Sequence, residues 1–212
     1  MNQTAASATT ESTATTASSQ VPQPGDPRYD FAVVTSAVGD LIAGVEPDQI
    51  DNATPCPDFR VKELLEHLVL AMRRVAGIGQ GLAFYAIVEE PVDDRWHDQY
   101  RQAAHDVMET WSDASKLDGT YEVPWGVITG APFFGAYTGE LAVHGWDLAQ
   151  ATGQELTIPD AVLEASLAGA KSDIPAEIRA DEMVPFGVPV EPGPDASTLL
   201  RLAGWYGRNV LG

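Results

Sequence analysis

The chain has 212 residues, which is enough for one domain with a full hydrophobic core. Its 31 acidic and 12 basic residues give a formal charge of −19, and no Lys/Arg cluster suits phosphate binding, so we expect no nucleic acid partner. No apolar run approaches the roughly 18 residues of a spanning helix, and no signal peptide pattern is present, so we expect neither membrane insertion nor export. A single cysteine excludes an internal disulfide and favours the cytoplasm.

Residues 1–26 are almost entirely Thr, Ala, Ser, Gln and Pro, which offer too little apolar area to offset the ordering of the chain. We therefore predict a disordered tail over residues 1–26 and a single domain over residues 27–212. Within that domain, apolar residues recur at intervals of three and four, as in helices with one buried face. The pattern predicts helices at residues 27–45, 59–84, 93–115, 133–152, 160–179 and 196–209.

The segments between these helices are rich in proline and glycine. Pro55 and Pro57 make the connector before the second helix rigid, because each fixes its own φ and disfavours helix in the preceding residue. Residues 121–132 are predicted as an irregular loop, residues 184–190 as an extended segment, and Asp160 as the N-cap of the fifth helix. The predicted fold class is all-α, a helical bundle with an extra C-terminal helix and an extended tail segment.

Two of these helices carry metal-ligand residues on faces that are otherwise apolar. Glu140 and His144 are four residues apart, which places their side chains on one face of the fourth helix. His67 shares the inner face of the second helix with Leu64. A carboxylate or imidazole buried without a partner costs about 2 kcal/mol or more. A divalent cation would compensate all three.

Two histidines and one carboxylate leave at least one coordination position for water or substrate, which is typical of catalytic rather than structural zinc sites. Zinc is the first expectation, but the same donors suit nickel, iron or manganese. The chain lacks the HExxH string of metalloproteases, a Gly-rich phosphate loop and a serine nucleophile elbow. Without an ion, the same trio could form a buried hydrogen-bond network in an interaction protein.

Three further residues each have two interpretations. Cys56 is either a reactive thiol or inert packing, and it has no evident base. Arg74, two turns after His67, faces either an anionic ligand or solvent, and we predict it as a cofactor-binding residue. Asp147 either accepts a hydrogen bond from an imidazole N–H or holds the helix end.

Two motifs in this sequence resemble a known family. Residues 54–68 read TPCPDFRVKELLEHL, and residues 140–149 read ELAVHGWDLA. Together they are similar to the metal-binding domain of the mycothiol-dependent maleylpyruvate isomerase family, which belongs to the DinB-like four-helix group. The resemblance covers about residues 27–210 and implies a DinB-like four-helix bundle. It also implies that the family's metal triad falls on His67, Glu140 and His144.

The resemblance further implies an actinobacterial setting and a reaction in which the metal binds mycothiol or a similar thiol. A coordinated thiol loses its proton and becomes a nucleophile at neutral pH. Position 60 is Arg where the family often has Thr, so we expect Asp58 to cap the second helix instead.

From these features we predict a metal-dependent thiol S-transferase that acts on an unidentified electrophile. The alternative is a non-catalytic bundle that binds a metal or a small ligand. The expected partners are a small-molecule thiol and an electrophilic substrate, and a homodimer is the ordinary expectation for such a bundle.

Overall fold

The computed structural model describes residues 21–88, 91, 95–180 and 186–211, and it confirms the all-α fold class. The predicted disordered tail falls mostly on residues 1–20, which lie outside the described residues. No helix within the described part has the length and apolar character needed to cross a membrane. The regular elements formed by the described residues are α1 (Pro27–Ala43), α2 (Val61–Gly79), α3 (Trp96–Thr110), β1 (Thr120–Val123), β2 (Gly126–Thr129), α4 (Gly130–Thr152), α5 (Asp160–Asp173) and α6 (Thr198–Trp205).

Helices α1 to α4 form a four-helix bundle in which α1 and α2 each pack against both α3 and α4, and α5 and α6 pack on α4 and on each other. The bundle core is aromatic. Trp111, just after α3, is 1% exposed and donates its indole N–H to the Val75 carbonyl of α2 at 2.8 Å. Phe31 of α1 meets Phe134 of α4 edge to face, with ring centroids 5.0 Å apart. Trp111 also meets the Phe134 ring edge to face at 4.9 Å, so Trp111 links α2 with α4, the helices that carry the ligand-type residues.

The start of α2 differs from the prediction. Its N-cap is Arg60, and Glu63 accepts the backbone N–H of Arg60 at 3.1 Å, so the prediction of Asp58 as the cap is wrong. The N–H groups of Val61 and Lys62 donate to backbone carbonyls of the segment before the connector. Because those carbonyls satisfy the free N–H groups of the first turn, no side-chain cap is required.

Helices α1, α2, α3, α5 and α6 are all shorter than predicted, α1 by two residues at its C-terminal end. Helix α2 stops before Gly81, whose φ of +85° lies outside the helical region. Helix α5 ends before Pro175, which lacks the N–H needed to continue the ladder. Its N-cap is Pro159 rather than Asp160, which already belongs to the helix. Helix α6 begins after Ser197, whose side chain accepts a backbone N–H of the first turn.

The prediction of an irregular loop at residues 121–132 is wrong. Strands β1 and β2 form an antiparallel hairpin in which Tyr121 pairs with Ile128. Gly126 follows the turn with φ +140°, a conformation that glycine adopts without strain. Helix α4 then begins before the expected start, because Pro132 lies in its first turn, where a missing N–H is tolerated.

Candidate metal centre

His67 of α2 and Glu140 and His144 of α4 meet where these two helices pack together. The His67 Nε2 atom lies 3.0 Å from Glu140 Oε1. One nitrogen or oxygen atom from each of the three side chains lies within 4.8 Å of the other two. The structure therefore brings the three residues to one point, and their role as metal ligands stays a prediction.

The cluster lies at the edge of the core rather than deep inside it. The side chains of His67 and Glu140 are 17% and 26% exposed, whereas that of His144 is 11% exposed. The helix pattern predicts that His67 points inward or nearly so, and the partial exposure of its side chain is consistent with that prediction. A cluster with this exposure is open to solvent on one side, as an exchangeable coordination position requires.

Phe59, in the connector before α2, covers the two imidazoles. Its ring stacks on His67 with centroids 4.9 Å apart, and it lies 5.9 Å from the ring of His144. The two imidazoles are themselves 4.7 Å apart and nearly perpendicular. Phe59 thus fixes the ring of His67 from the side of the connector and replaces water there with an apolar surface.

The orientation of His144 is set by Asp147, one turn later on α4. The distance from His144 Nδ1 to Asp147 Oδ2 is 3.1 Å. Because a carboxylate only accepts hydrogen bonds, the proton between these atoms belongs to Nδ1. The Nε2 atom of His144 then keeps its lone pair for a ligand. Of the two roles considered for Asp147, the structure shows the hydrogen bond to an imidazole.

Local charges and burial favour the protonation states in which Glu140 and His144 can bind a metal. Burial alone would raise the pKa of Glu140, but the hydrogen bond with His67 and the charges of His67, His144 and Arg74 outweigh it, and the pKa is lowered. Burial lowers the pKa of His144, and the hydrogen bond to Asp147 offsets only part of that effect. At neutral pH, Glu140 is therefore a carboxylate and His144 a neutral imidazole.

The donor set fits a divalent metal in composition and in spacing. Ligand atoms about 2.0–2.2 Å from a tetrahedral zinc ion are roughly 3.3 Å from one another. The separation of 3.0 Å between His67 Nε2 and Glu140 Oε1 is close to that value. A nitrogen of His144 lies within 4.8 Å of ligand atoms of both residues.

Arg74, predicted to bind a cofactor, lies near this cluster and not on a solvated face. Its guanidinium carbon is 4.5 Å from the ring centroid of Phe84. Its positive charge contributes to lowering the pKa of Glu140. Its Nε atom is buried and has no hydrogen-bond partner among the described residues. A guanidinium in this position is suited to an anionic group.

Cys56 lies close to His144 and Asp147. Its sulfur is within 4.8 Å of a nitrogen of His144 and an oxygen of Asp147. The side chain is buried, and burial raises the pKa of the thiol despite the nearby positive charge of Arg208. This placement favours a protonated, packed cysteine over a reactive one.

Two residues of the site are absent from the sequence-based prediction. Phe59 belongs to the TPCPDF motif, and an aromatic residue beside a rigid connector was the available signal. Arg208 donates to both oxygens of Asp147. Its only sequence signal was indirect, because a buried aspartate needs a cationic or hydrogen-bonding partner.

The four-helix core, with two imidazoles and a carboxylate on facing helices, defines a DinB-like helical protein. The chain belongs to the mycothiol maleylpyruvate isomerase N-terminal domain family, whose model matches residues 31–149, and the family expected from the two motifs is confirmed. The matched region contains His67, Glu140 and His144.

Curated relatives come from Mycobacterium tuberculosis. Two proteins, one from strain CDC 1551 and one from strain H37Rv, are each 28% identical over 155 residues, which is 73% of this chain and 82% of the relative. Both are described as uncharacterised. No solved structure matches the chain significantly.

Proposed function

We propose that the protein is a divalent-metal-dependent S-transferase that joins a small thiol, mycothiol or a similar one, to an electrophilic substrate. The observation that carries the proposal is the convergence of His67, Glu140 and His144 within 4.8 Å. Membership of a mycothiol-linked family supports the choice of thiol. The reducing cytoplasm, where such a thiol stays free, is the compartment that this reaction needs.

In this proposal the imidazoles of His67 and His144 and the carboxylate of Glu140 would hold the metal. Zinc is the first choice, and nickel, iron and manganese fit the same donors. When bound, such a metal supplies a positive charge that lowers the pKa of a coordinated thiol. The negative charge of Glu140 offsets part of the cation's charge.

The other residues of the site act on the reactants and on the ligands. Arg74 binds an anionic group of the thiol or of the electrophile, because its Nε is buried without a partner in the described structure. Phe59 keeps water from one side of the imidazoles. In the overall reaction the thiol loses its proton, its sulfur bonds to an electrophilic carbon, and the leaving group departs with the electron pair of the broken bond.

Thiol binding can be tested without knowing the electrophile. Protein without an affinity tag is stripped with a chelator, loaded with cobalt(II) and titrated with mycothiol. A sulfur-to-cobalt charge-transfer band is expected in the wild type and not in His144→Ala. Cobalt binding without this band would favour the non-catalytic alternative. Equally little metal in both proteins would favour the metal-free hydrogen-bond network.

Conjugation is then measured with zinc-loaded protein, mycothiol and a chlorodinitrobenzene electrophile. We expect product formation that depends on metal and is lost in Glu140→Ala. Arg74→Gln should raise the KM for mycothiol if the guanidinium binds an anionic group of that thiol. An Arg73→Gln variant is the matched control, because it removes the neighbouring arginine of the same helix.

A further inference from the structure

Asp147 and Arg208 form a buried ion pair next to His144 of the candidate metal centre. Asp147 is fully buried and Arg208 is 8% exposed. The guanidinium donates from Nε to Asp147 Oδ1 at 2.9 Å and from Nη2 to Asp147 Oδ2 at 2.8 Å. This fork uses both carboxylate oxygens and fixes the plane of the carboxylate.

The same carboxylate orients His144. Its Oδ2 atom lies 3.1 Å from His144 Nδ1, which leaves Nε2 as the ring nitrogen without the proton. A fixed carboxylate plane selects the imidazole tautomer with the proton on Nδ1 and restricts rotation of the ring. Arg208 therefore acts on His144 through Asp147, and within the described residues its side chain donates hydrogen bonds to Asp147 and to the Tyr206 carbonyl.

The backbone that presents Arg208 is itself tightly held. Gly207 adopts φ +82°, and the Arg208 N–H donates to the Ala203 carbonyl at 3.0 Å. A Cβ atom at position 207 would lie 2.7 Å from the Cα of Gly187, so the chain turns here against another backbone segment. Arg208 is thus directed at Asp147 by the geometry after α6 and does not reach it as a freely rotating surface side chain.

A metal ion bound at Asp147 itself is a competing interpretation. Cys56, His144 and Asp147 have ligand atoms within 4.8 Å of one another. However, both oxygens of Asp147 already accept from Arg208. A cation there would face the guanidinium charge and a thiol whose pKa is raised by burial. The arrangement favours a supporting role for Asp147 over a second metal site.

We infer that Arg208 is a positioning residue for the metal centre, locking Asp147 so that it holds the His144 ring with Nε2 toward His67 and Glu140. The segment after α6 thereby completes a site whose other parts all lie within residues 31–149, the part matched by the family model. The inference deepens the proposed function and rests on it for its consequence for metal affinity.

The first test measures the zinc dissociation constant of tag-free protein by competition with a chromophoric chelator. Arg208→Met should weaken zinc binding about 10- to 100-fold, the usual effect of losing such an outer partner. Arg208→Lys should recover part of the loss, because it restores the charge but not the fork. Unchanged affinity in Arg208→Met would overturn the inference.

Arg179 provides a matched control. It is 6% exposed and ties the same C-terminal region together, and within the described residues its hydrogen bonds go to the backbone carbonyls of Ile174, Gly187 and Trp205. Arg179→Met should lower stability without a specific loss of zinc affinity. An equal loss of affinity in both variants would mean that general loosening, and not the orientation of His144, explains the effect.

A second readout does not depend on metal. Imidazole ¹⁵N spectra of the metal-free protein in mildly alkaline solution should show His144 with its proton on Nδ1 in the wild type. Arg208→Met should shift the ring toward a mixture of tautomers, whereas Arg179→Met should not. A wild type that binds no zinc but shows this Arg208-dependent tautomer would reject the proposed function and leave the positioning role standing.

Arg208→Met leaves the buried carboxylate of Asp147 without its cation, and this single variant could fail to fold. The double variant Asp147→Asn with Arg208→Met removes both charges, so no unpaired charge is buried. It should fold and still show mixed tautomers, because an asparagine side chain can donate or accept. A double variant with the wild-type tautomer and wild-type zinc affinity would overturn the inference.

Discussion

Replacing Glu140 with glutamine tests the proposed metal centre at its only anionic ligand. The amide keeps the size of the side chain and can still bond to His67, which is 3.0 Å away in the wild type. It brings no negative charge to offset a cation. The Glu140 side chain is 26% exposed, so the metal-free variant should lose no more than about 1 kcal/mol of unfolding free energy.

The effect of the substitution should appear when metal is added. A metal present at about 100 times its dissociation constant stabilises the folded state by about 2.7 kcal/mol. For a chain of this size, 1 kcal/mol corresponds to about 2–4 °C in Tm. Saturating zinc should therefore raise the Tm of the wild type by about 5–11 °C. The rise in Glu140→Gln should be less than about 3 °C, because a neutral amide is a poor ligand for zinc.

The measurement is differential scanning fluorimetry of chelator-treated protein without a tag, with and without zinc, supported by elemental analysis. Glu66→Gln is the matched control, since Glu66 adjoins His67 but is not one of the three clustered residues. This control should show the wild-type rise. Equal zinc-dependent rises in the wild type and Glu140→Gln would refute the assignment of Glu140 as a ligand.

Three further predictions concern the fold. Gly145→Ala should destabilise the protein by about 1–2 kcal/mol in urea unfolding, because the new Cβ would lie 2.8 Å from a methyl carbon of the buried Val38. An unchanged midpoint of urea unfolding would mean that α1 and α4 can move apart at no cost in free energy, and it would contradict this prediction. Trp111→Phe should cost about 1–3 kcal/mol, because it opens a gap and removes the indole hydrogen bond to α2. A wild-type unfolding free energy would contradict this. The hydrogen bond and charge of Arg28 lower the pKa of Asp26. The stability that this pair contributes is therefore fully present above the pKa of an unfolded aspartate, about 3.9. It is lost as the pH falls through the lower pKa of Asp26 in the folded protein. Asp26→Asn should therefore show a smaller loss of unfolding free energy on acidification than the wild type, and parallel pH curves would contradict the assignment.

Much of the fold follows from local spacing. Apolar residues at intervals of three and four identify the helices, because a helix repeats every 3.6 residues and buries one face. The same reasoning places Glu140 and His144 one turn apart, and the structure does bring His67 to them. Helix ends are less well predicted, because they depend on caps such as Arg60 and on backbone partners from other segments.

What local spacing left undetermined depends on residues that are distant in the chain. The β1–β2 hairpin arises from cross-strand pairing that short, mixed strands signal only weakly. The stacking of Phe59 on His67 and the ion pair between Asp147 and Arg208 join separate elements. The sequence by itself determined the helices and the ligand-type residues, because these follow from periodicity along one chain segment. The tertiary structure alone decided how deep the cluster lies and what orients His144, because both depend on which surfaces pack together.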